Sequence, residues 1–146
     1  MFEGDHWIDR YAELARQLDI PICAPEYNDR MHVGRAIWFE KRATDMGRGD
    51  ILEGGLTSLL EILKECRKRQ LQMDMHLTNY YQLQLNGATD EEVIHYAEDY
   101  FWYGNPACTP SDPPQVDAQG FIEIPDTPAW AWILMRSTSG RRRFSC

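Results

Sequence analysis

Three of the four histidines follow an acidic residue by three positions, which on a helix would place both side chains on one face. Carboxylate-bridged metal centres in helical bundles use two such pairs together with glutamates from other helices. The three pairs are Glu3 with His6, Asp29 with His32, and Glu92 with His95. Because the chain holds 23 acidic residues, such pairs also arise by chance. The sequence therefore predicts no bound metal and no other cofactor, and it keeps the last two pairs as the alternative metal ligands.

His95 is the strongest single candidate for acid–base chemistry. Four carboxylates lie three or four positions from it and would surround it on a helix: Glu91, Glu92, Glu98 and Asp99. The apolar stripe of that helix would consist of Val93, Ile94, Ala97, Tyr100 and Phe101. This pattern places His95 on the solvated face, so no catalytic residue is predicted. The alternative is a metal-dependent hydrolase or oxidase that uses His95 with Glu92, with Asp29 and His32 or with His76 as further candidates.

Aromatic and basic residues near the end of the chain are typical of a protein interface, where Trp, Tyr and Arg dominate binding. The two aromatic pairs lie on either side of the loop at 104–119, which holds four of the eight prolines, and a basic tail follows. The predicted interface residues are Trp102, Tyr103, Trp130, Trp132, Arg141, Arg142, Arg143 and Phe144. The terminal thiol of Cys146 could form an intermolecular disulfide with a neighbouring chain.

The composition restricts the partner and the compartment. The net charge of -8 argues against nucleic acid as the main ligand, because that affinity comes mostly from cationic side chains on phosphates. No apolar run approaches the length of a membrane span, and no secretory signal precedes the first helix. We therefore expect a protein partner or self-assembly, no membrane association, and a cytoplasmic or virion location.

Several segments have the periodicity of helices. Helical spacing recurs from Trp7 to Leu18, and a second helix is expected around 56–69, ending in "RKR". Residues 31–46 fit a helix or a buried strand, and the helix is favoured. Residues 70–86 alternate like a strand but end in Asn-Gly, which can be a helix stop, and again the helix is favoured. The "MGRGD" stretch at 46–50 is interpreted as a turn before a helix cap.

The predicted fold is mainly α (α+β), a compact bundle of four to five helices followed by a long proline-rich loop and a small C-terminal β-hairpin. A single domain would cover residues 1–136, with the loop at 104–119 and the hairpin at 120–136, and 137–146 would be a flexible basic tail. On this architecture the expected function is that of a non-enzymatic protein-binding or assembly module. A viral structural adaptor or connector, or a small inhibitor of a larger complex, would be of this kind.

Overall fold

The computed structural model describes residues 4–28, 30–78, 80–90, 92–94, 97–99 and 116–124. In these residues helices alternate with short parallel strands. The helices are α1 Ile8–Gln17, which follows a 3-10 turn at Asp5–Trp7, then α2 Met31–Glu40, α3 Gly55–Arg69 and α4 Tyr80–Gly87. The strands are β1 Met46–Gly49, β2 Gln72–Thr78 and β3 Ala97–Asp99.

The three strands form one sheet in the order β1-β2-β3, and both neighbouring pairs are parallel. In the first pair Met46 lies opposite Gln72 and Gly49 lies opposite Met75. An extended segment at Cys23 adds a parallel bridge to Met46 at the outer edge of β1. Parallel neighbours need a crossover connection, which α2, α3 and α4 supply in turn. The described part of the chain is thus a run of strand–helix units.

Alternation along the strands separates an apolar face from a polar one. In β2, Met73 and Met75 are buried in one cluster with residues of α3, while Asp74 and His76 point to the opposite face. In β1, Gly47 faces the helix, and a Cβ there would lie 2.5 Å from Cys66 Sγ. Helix and strand can approach this closely because the glycine has no side chain.

The core has two parts. The larger cluster joins α3 to the sheet and contains Phe39, Leu59, Ile62, Leu63, Cys66, Met73, Met75, Val93 and Ile94. The smaller one packs α1 against α2 and contains Ile8, Ala12, Ala24, Trp38 and Ala43. Burial of these apolar side chains is the main stabilising contribution in both clusters. Among the described helices, none is long and apolar enough to cross a membrane.

The predicted bundle followed by a hairpin is wrong, because the centre of the structure is a parallel sheet. The helices at 8–17 and 55–69 are confirmed. Residues 31–46 contain α2 and the start of β1, and "MGRG" is a strand, not a turn. Residues 70–86 split into β2 and most of α4, so the Asn-Gly pair ends only the second of these elements.

The helix expected at 93–101 is also wrong. Residues 97–99 form β3, whose pairing with β2 replaces the local helical hydrogen bonds. Of the expected loop and hairpin, the structure describes residues 116–124, where Val116 and Ile122 form one antiparallel bridge. Residues 125–146, with the rest of the predicted hairpin and the tail, lie outside the described residues.

Candidate active site

His76 lies between two carboxylates at the carboxyl end of β2. Its Nδ1 is 3.2 Å from Asp50 Oδ2 and its Nε2 is 2.8 Å from Glu26 Oε1. The side chain is only 5% exposed, and Gln82 Nε2 donates a 2.8 Å hydrogen bond to its carbonyl oxygen. The pairing of β2 with β3 shifts register between Met75 and Thr78, where His76 lies. Such irregularities in strands are common beside active sites, where they re-aim a side chain.

Asp50 is held in place by the turn that follows β1. Its Oδ1 accepts a 2.8 Å hydrogen bond from the backbone N–H of Leu52, so Oδ2 is left to His76. The turn ends at Gly54, whose φ of 91° is a left-handed conformation that favours glycine. Asp50 is buried, and its orientation is fixed by this turn and by the ring of His76.

Glu26 reaches His76 from a different segment, the loop after the extended residues at 23. Its side chain is 46% exposed, in contrast to buried Asp50. The neighbouring Tyr27 places its ring edge-on to His76, with 5.4 Å between ring centroids. Burial raises the pKa of the Tyr27 hydroxyl, and the charges of Glu26 and Asp50 raise it further, so this hydroxyl keeps its proton at neutral pH. Because Glu26 on the Nε2 side is partly exposed while Asp50 on the Nδ1 side is buried, a ligand can approach His76 from the Nε2 side.

This geometry can move a proton. A carboxylate only accepts hydrogen bonds, so both contacts of the imidazole are fully made when both ring nitrogens carry hydrogen. A buried aspartate on Nδ1–H fixes the orientation of the ring and stabilises its positive charge, as in other aspartate–histidine pairs. Nε2 then gives or takes the proton, provided that Glu26 moves away. The arrangement is that of a general acid–base group.

A buried guanidinium connects the segments that carry the two carboxylates. Arg35, on α2, donates from Nε to the Arg48 carbonyl at 2.5 Å and from Nη2 to the Glu26 carbonyl at 3.1 Å. Its Nη2 also lies 2.5 Å from Glu53 Oε2. The side chain is only 1% exposed, and the charge of Glu53 compensates its burial.

A second ionic group crosses all three strands on the polar face. Arg48 of β1 donates from Nη1 to Asp74 of β2, and from Nη2 to Glu98 of β3 at 3.1 Å. The thiol of Cys23 lies 4.0 Å from Asp74 Oδ2, so the extended segment also contributes to this group. On the polar face of the sheet, these paired charges therefore lie beside His76 and its two carboxylates.

The described residues do not by themselves fit a metal centre. Among them no three His, Cys, Asp or Glu side chains could hold one ion. Asp50 and Glu26 bind opposite nitrogens of the His76 ring, so their oxygens do not converge on a common point. A magnesium ion requires near-octahedral oxygen ligands. The arrangement around His76 is therefore a set of hydrogen bonds to the ring and not a set of oxygen ligands that converge on one ion.

The structure separates the residues that the sequence singled out. His32 lies on α2 and bonds Ser58 Oγ of α3 at 3.3 Å, away from any described carboxylate. Glu92 is exposed, whereas its expected partner His95 and also Asp29 lie outside the described residues. The predicted interface residues, Trp102, Tyr103, Trp130, Trp132, Arg141, Arg142, Arg143 and Phe144, and the terminal Cys146, lie outside them too. These assignments stay predictions.

Sequence reasoning gave His76 only a minor place and missed Asp50, Glu26 and Arg35. Asp50 was interpreted as the end of a turn, and Glu26 lies in a proline-containing connector. The signal that could have found them is the alternation of 72–76 followed by a helix, which is typical of a strand–helix unit. In parallel sheets the residues just after each strand gather at one edge, where ligands bind.

Comparison with known proteins identifies the type of domain. The family model described as "Enolase C-terminal domain-like" matches residues 2–130. D-glucarate dehydratase from Agrobacterium tumefaciens, complexed with magnesium, is 26% identical with a TM-score of 0.72, over 86% of this chain and 34% of that chain. An enolase from alpha proteobacterium BAL199 with bound magnesium is 18% identical with a TM-score of 0.75, over 95% of this chain and 36% of that one.

A third structure agrees with these. L-talarate dehydratase from Polaromonas sp. JS666, complexed with magnesium and L-glucarate, is 20% identical with a TM-score of 0.67. It is matched over 86% of this chain and 36% of its own, so the chain spans about a third of the length of these structures. No curated protein matches the chain.

These findings overturn the expected function. The small parallel sheet with its helices matches part of the C-terminal domains of the enolase type, which are barrels of parallel strands. A non-enzymatic assembly module, whether a viral adaptor or connector or a small inhibitor, was the wrong prediction, because the match is to a domain of enzymes. The prediction was wrong because a turn was predicted where β1 lies and a helix where β2 lies. Without these strands the sequence does not indicate the sheet edge at which His76 lies.

Proposed function

The chain belongs to the enolase C-terminal domain-like family, and we propose that it supplies an acid–base group that removes the proton α to a carboxylate. Enolase-superfamily sites use a lysine or histidine base for this step. The observation that carries the proposal is the burial of His76 between Asp50 and Glu26 at the carboxyl end of a parallel strand.

The proposed substrate class is that of polyhydroxylated dicarboxylic acids. Two of the similar structures are dehydratases named for D-glucarate and L-talarate, and the second holds L-glucarate. In such a reaction Nε2 of His76 has lost its own proton as Glu26 moves away, so the α-proton passes to Nε2 and its bonding electrons form an enediolate. The hydroxyl on the neighbouring carbon then leaves as water, taking the proton that His76 Nε2 holds. The resulting enol takes a proton from solvent at its carbon and releases its hydroxyl proton to solvent, which gives a keto acid, so the net change is the loss of one water molecule.

The two carboxylates have different tasks in this proposal. Asp50 keeps Nδ1 protonated and the ring in one orientation, since it is buried and fixed by the turn to Leu52. Glu26, half exposed, covers Nε2 and must give way before substrate reaches that nitrogen. All three similar structures contain bound magnesium. The ligands that would bind it are not complete among the described residues, and removal of the α-proton in this proposal uses His76.

Formation of keto acid from D-glucarate and from L-talarate tests the proposal. The purified protein is assayed with and without added magnesium chloride. Asp50→Asn should lower kcat by about 100- to 10,000-fold, because the amide can donate a hydrogen bond to Nδ1 and so favours the wrong tautomer of the ring. Asp90→Asn is the matched control, since Asp90 is an exposed aspartate paired with Arg67.

Two results would contradict the proposal. One is the absence of keto acid from both substrates under every condition. The other is an active protein in which Asp50→Asn and Asp90→Asn behave alike. A rate loss confined to Asp50→Asn supports the assignment of the acid–base group.

A further inference from the structure

We infer that Arg35 is a positioning residue that fixes the distance between the two chain segments whose carboxylates hold His76. The inference rests on the proposed role of His76 as the acid–base group. Arg35 itself touches neither the imidazole nor the side-chain oxygens of Glu26 and Asp50. Its effect on the site passes through the backbone.

The hydrogen bonds of Arg35 reach both segments at once. Nη2 binds the carbonyl of Glu26, so it holds the backbone of the residue whose carboxylate lies on Nε2 of His76. Nε binds the carbonyl of Arg48, two residues before Asp50, whose carboxylate lies on Nδ1. One planar group therefore sets the separation of the two peptide segments that enclose the ring.

Burial makes this connection rigid. The side chain is only 1% exposed, and its Nη2 also bonds Glu53 in the turn after Asp50. Among the described residues, Nη1 is buried without a hydrogen-bond partner, so the position of the group is set by Nε and Nη2. Removing one partner of a buried ion pair leaves an uncompensated charge, which disfavours any arrangement in which the two groups separate.

Arginine is required here and lysine is not equivalent. The guanidinium is flat and presents its donors in a fixed fork, whereas the ammonium of lysine is a single point at the end of a flexible stem. Lysine can keep the ion pair with Glu53 but cannot also reproduce the two carbonyl contacts in one plane. Arg35→Lys should therefore loosen the spacing of the segments while keeping the charge.

The experiment compares Arg35→Lys with Arg30→Lys. Arg30 precedes the same helix, and its exposed guanidinium pairs with Asp5 instead of the site residues, so it is a matched control. Two readouts are collected at one pH: the ring-nitrogen chemical shifts of His76 by long-range ¹H–¹⁵N spectroscopy, and the exchange of the α-proton of D-glucarate with solvent. Thermal unfolding shows that each variant is folded at the temperature used.

The expected result is a change in both readouts for Arg35→Lys alone. The ring-nitrogen signals of His76 should shift or broaden, and the exchange rate should fall by about 10- to 100-fold with a smaller effect on KM, the usual effect of losing a supporting contact. A folded Arg35→Lys with unchanged His76 signals would overturn the inference, even with a lowered melting temperature, because that result describes a purely structural arginine.

A second variant covers the case in which Arg35→Lys does not fold. Glu53→Gln removes the charge partner and leaves the two carbonyl contacts in reach of the guanidinium, so it should alter the His76 signals to a lesser degree. Unchanged signals in folded Glu53→Gln would then overturn the inference. The spectroscopic readout needs no substrate turnover. Failure of the proposed function, which appears as absent exchange in the wild type, is therefore distinguishable from failure of this inference.

Discussion

The two faces of the parallel sheet differ in almost every physical respect. On the face toward α3, Met73 and Met75 pack against leucine and isoleucine side chains and are excluded from water. On the other face, the alternate residues of the same strands are Arg48, Asp74, His76 and Glu98, and each contacts an oppositely charged or hydrogen-bonding partner. Adjacent residues of one strand thus belong to different environments.

The difference separates stability from chemistry. The apolar face supplies free energy of folding through burial, and its glycine allows the close approach of α3. The polar face costs desolvation and is compensated by pairing, which leaves it with charged groups at fixed positions. A rigid apolar layer is what holds those groups in place for acid–base work. Changes on one face should therefore affect a different measurement from changes on the other.

The two described cysteines give the largest contrast between the faces. Burial raises the pKa of the Cys66 thiol to about 12 from the usual 9.0, whereas Cys23 lies half-buried beside Asp74 on the polar face. At pH 8 native Cys66 should hold about 1,000-fold less thiolate than unfolded Cys66. Iodoacetamide labelling followed by peptide mapping, with and without denaturant, measures this protection. Equal labelling of Cys66 in both states would contradict its burial.

The same shift has a consequence for stability at high pH. A thiol whose pKa is raised by folding stabilises the native state fully below the unfolded pKa, and this contribution is lost as pH rises through the folded value. The free energy of unfolding should therefore decline between about pH 9 and pH 12. Cys66→Ala should remove this part of the decline in denaturant titrations, and an identical decline in the variant would contradict the assignment.

Truncation on the apolar face should reduce stability and leave the chemistry intact. Leu63 is 1% exposed in α3 while Leu60, one turn away, is 48% exposed, so the two positions form a matched pair. Leu63→Ala should lower the free energy of unfolding by about 2–5 kcal/mol, and Leu60→Ala by less than about 1 kcal/mol. Urea titrations measure the difference. Similar losses for both would mean that α3 packs differently.

A side chain added at the contact between β1 and α3 should lower the free energy of unfolding by a smaller amount. A methyl group at Gly47 would lie 2.5 Å from Cys66 Sγ, so Gly47→Ala should lower the free energy of unfolding by about 1–3 kcal/mol. Cys66→Ala removes the clashing sulfur, and the double variant should be more stable than the sum of the single changes predicts. Strict additivity in a double-mutant cycle would show that the sulfur is not the obstacle.

The smallest effect is expected at the solvent-exposed edge of the polar face. Glu98 is 40% exposed and lies 3.1 Å from Arg48, so the pair is screened by water. Glu98→Gln should change the free energy of unfolding by less than about 1 kcal/mol, measured by urea titration. A loss above 2 kcal/mol would mean that the layer of Arg48 is more strongly coupled to the sheet than its exposure indicates.

Local patterns in the sequence were enough to find part of this structure. The first helix and the helix that ends at Arg67, Lys68 and Arg69 are confirmed, because each has a long apolar stripe and clear end signals. The strand at 72–78 also had its signal in the alternation of Met and polar residues. That signal was outweighed by the Asn-Gly pair, which ends the next helix instead.

The site depended on pairing that no local pattern reveals. Asp50, His76 and Glu26 are brought together by strands whose neighbours lie more than 20 residues away in sequence. A strand of four residues, two of them glycine, resembles a turn when seen alone. The predicted acid–base candidate, His95, satisfied a helical spacing, but the element described there is a strand, at 97–99. Once the helices at 31–40 and 55–69 are recognised as crossovers, a polar edge at 50 and 76 follows.

The central claim is that His76 transfers the α-proton of the substrate. The most direct test incubates D-glucarate with the protein in D₂O and measures deuterium at the α-carbon by mass spectrometry. We expect incorporation by the wild type and by the control His32→Asn, because native His32 lies on α2 and bonds Ser58 of α3 instead of the site residues. We expect at least about a 100-fold loss in His76→Asn. Incorporation by His76→Asn at the wild-type rate would contradict the claim.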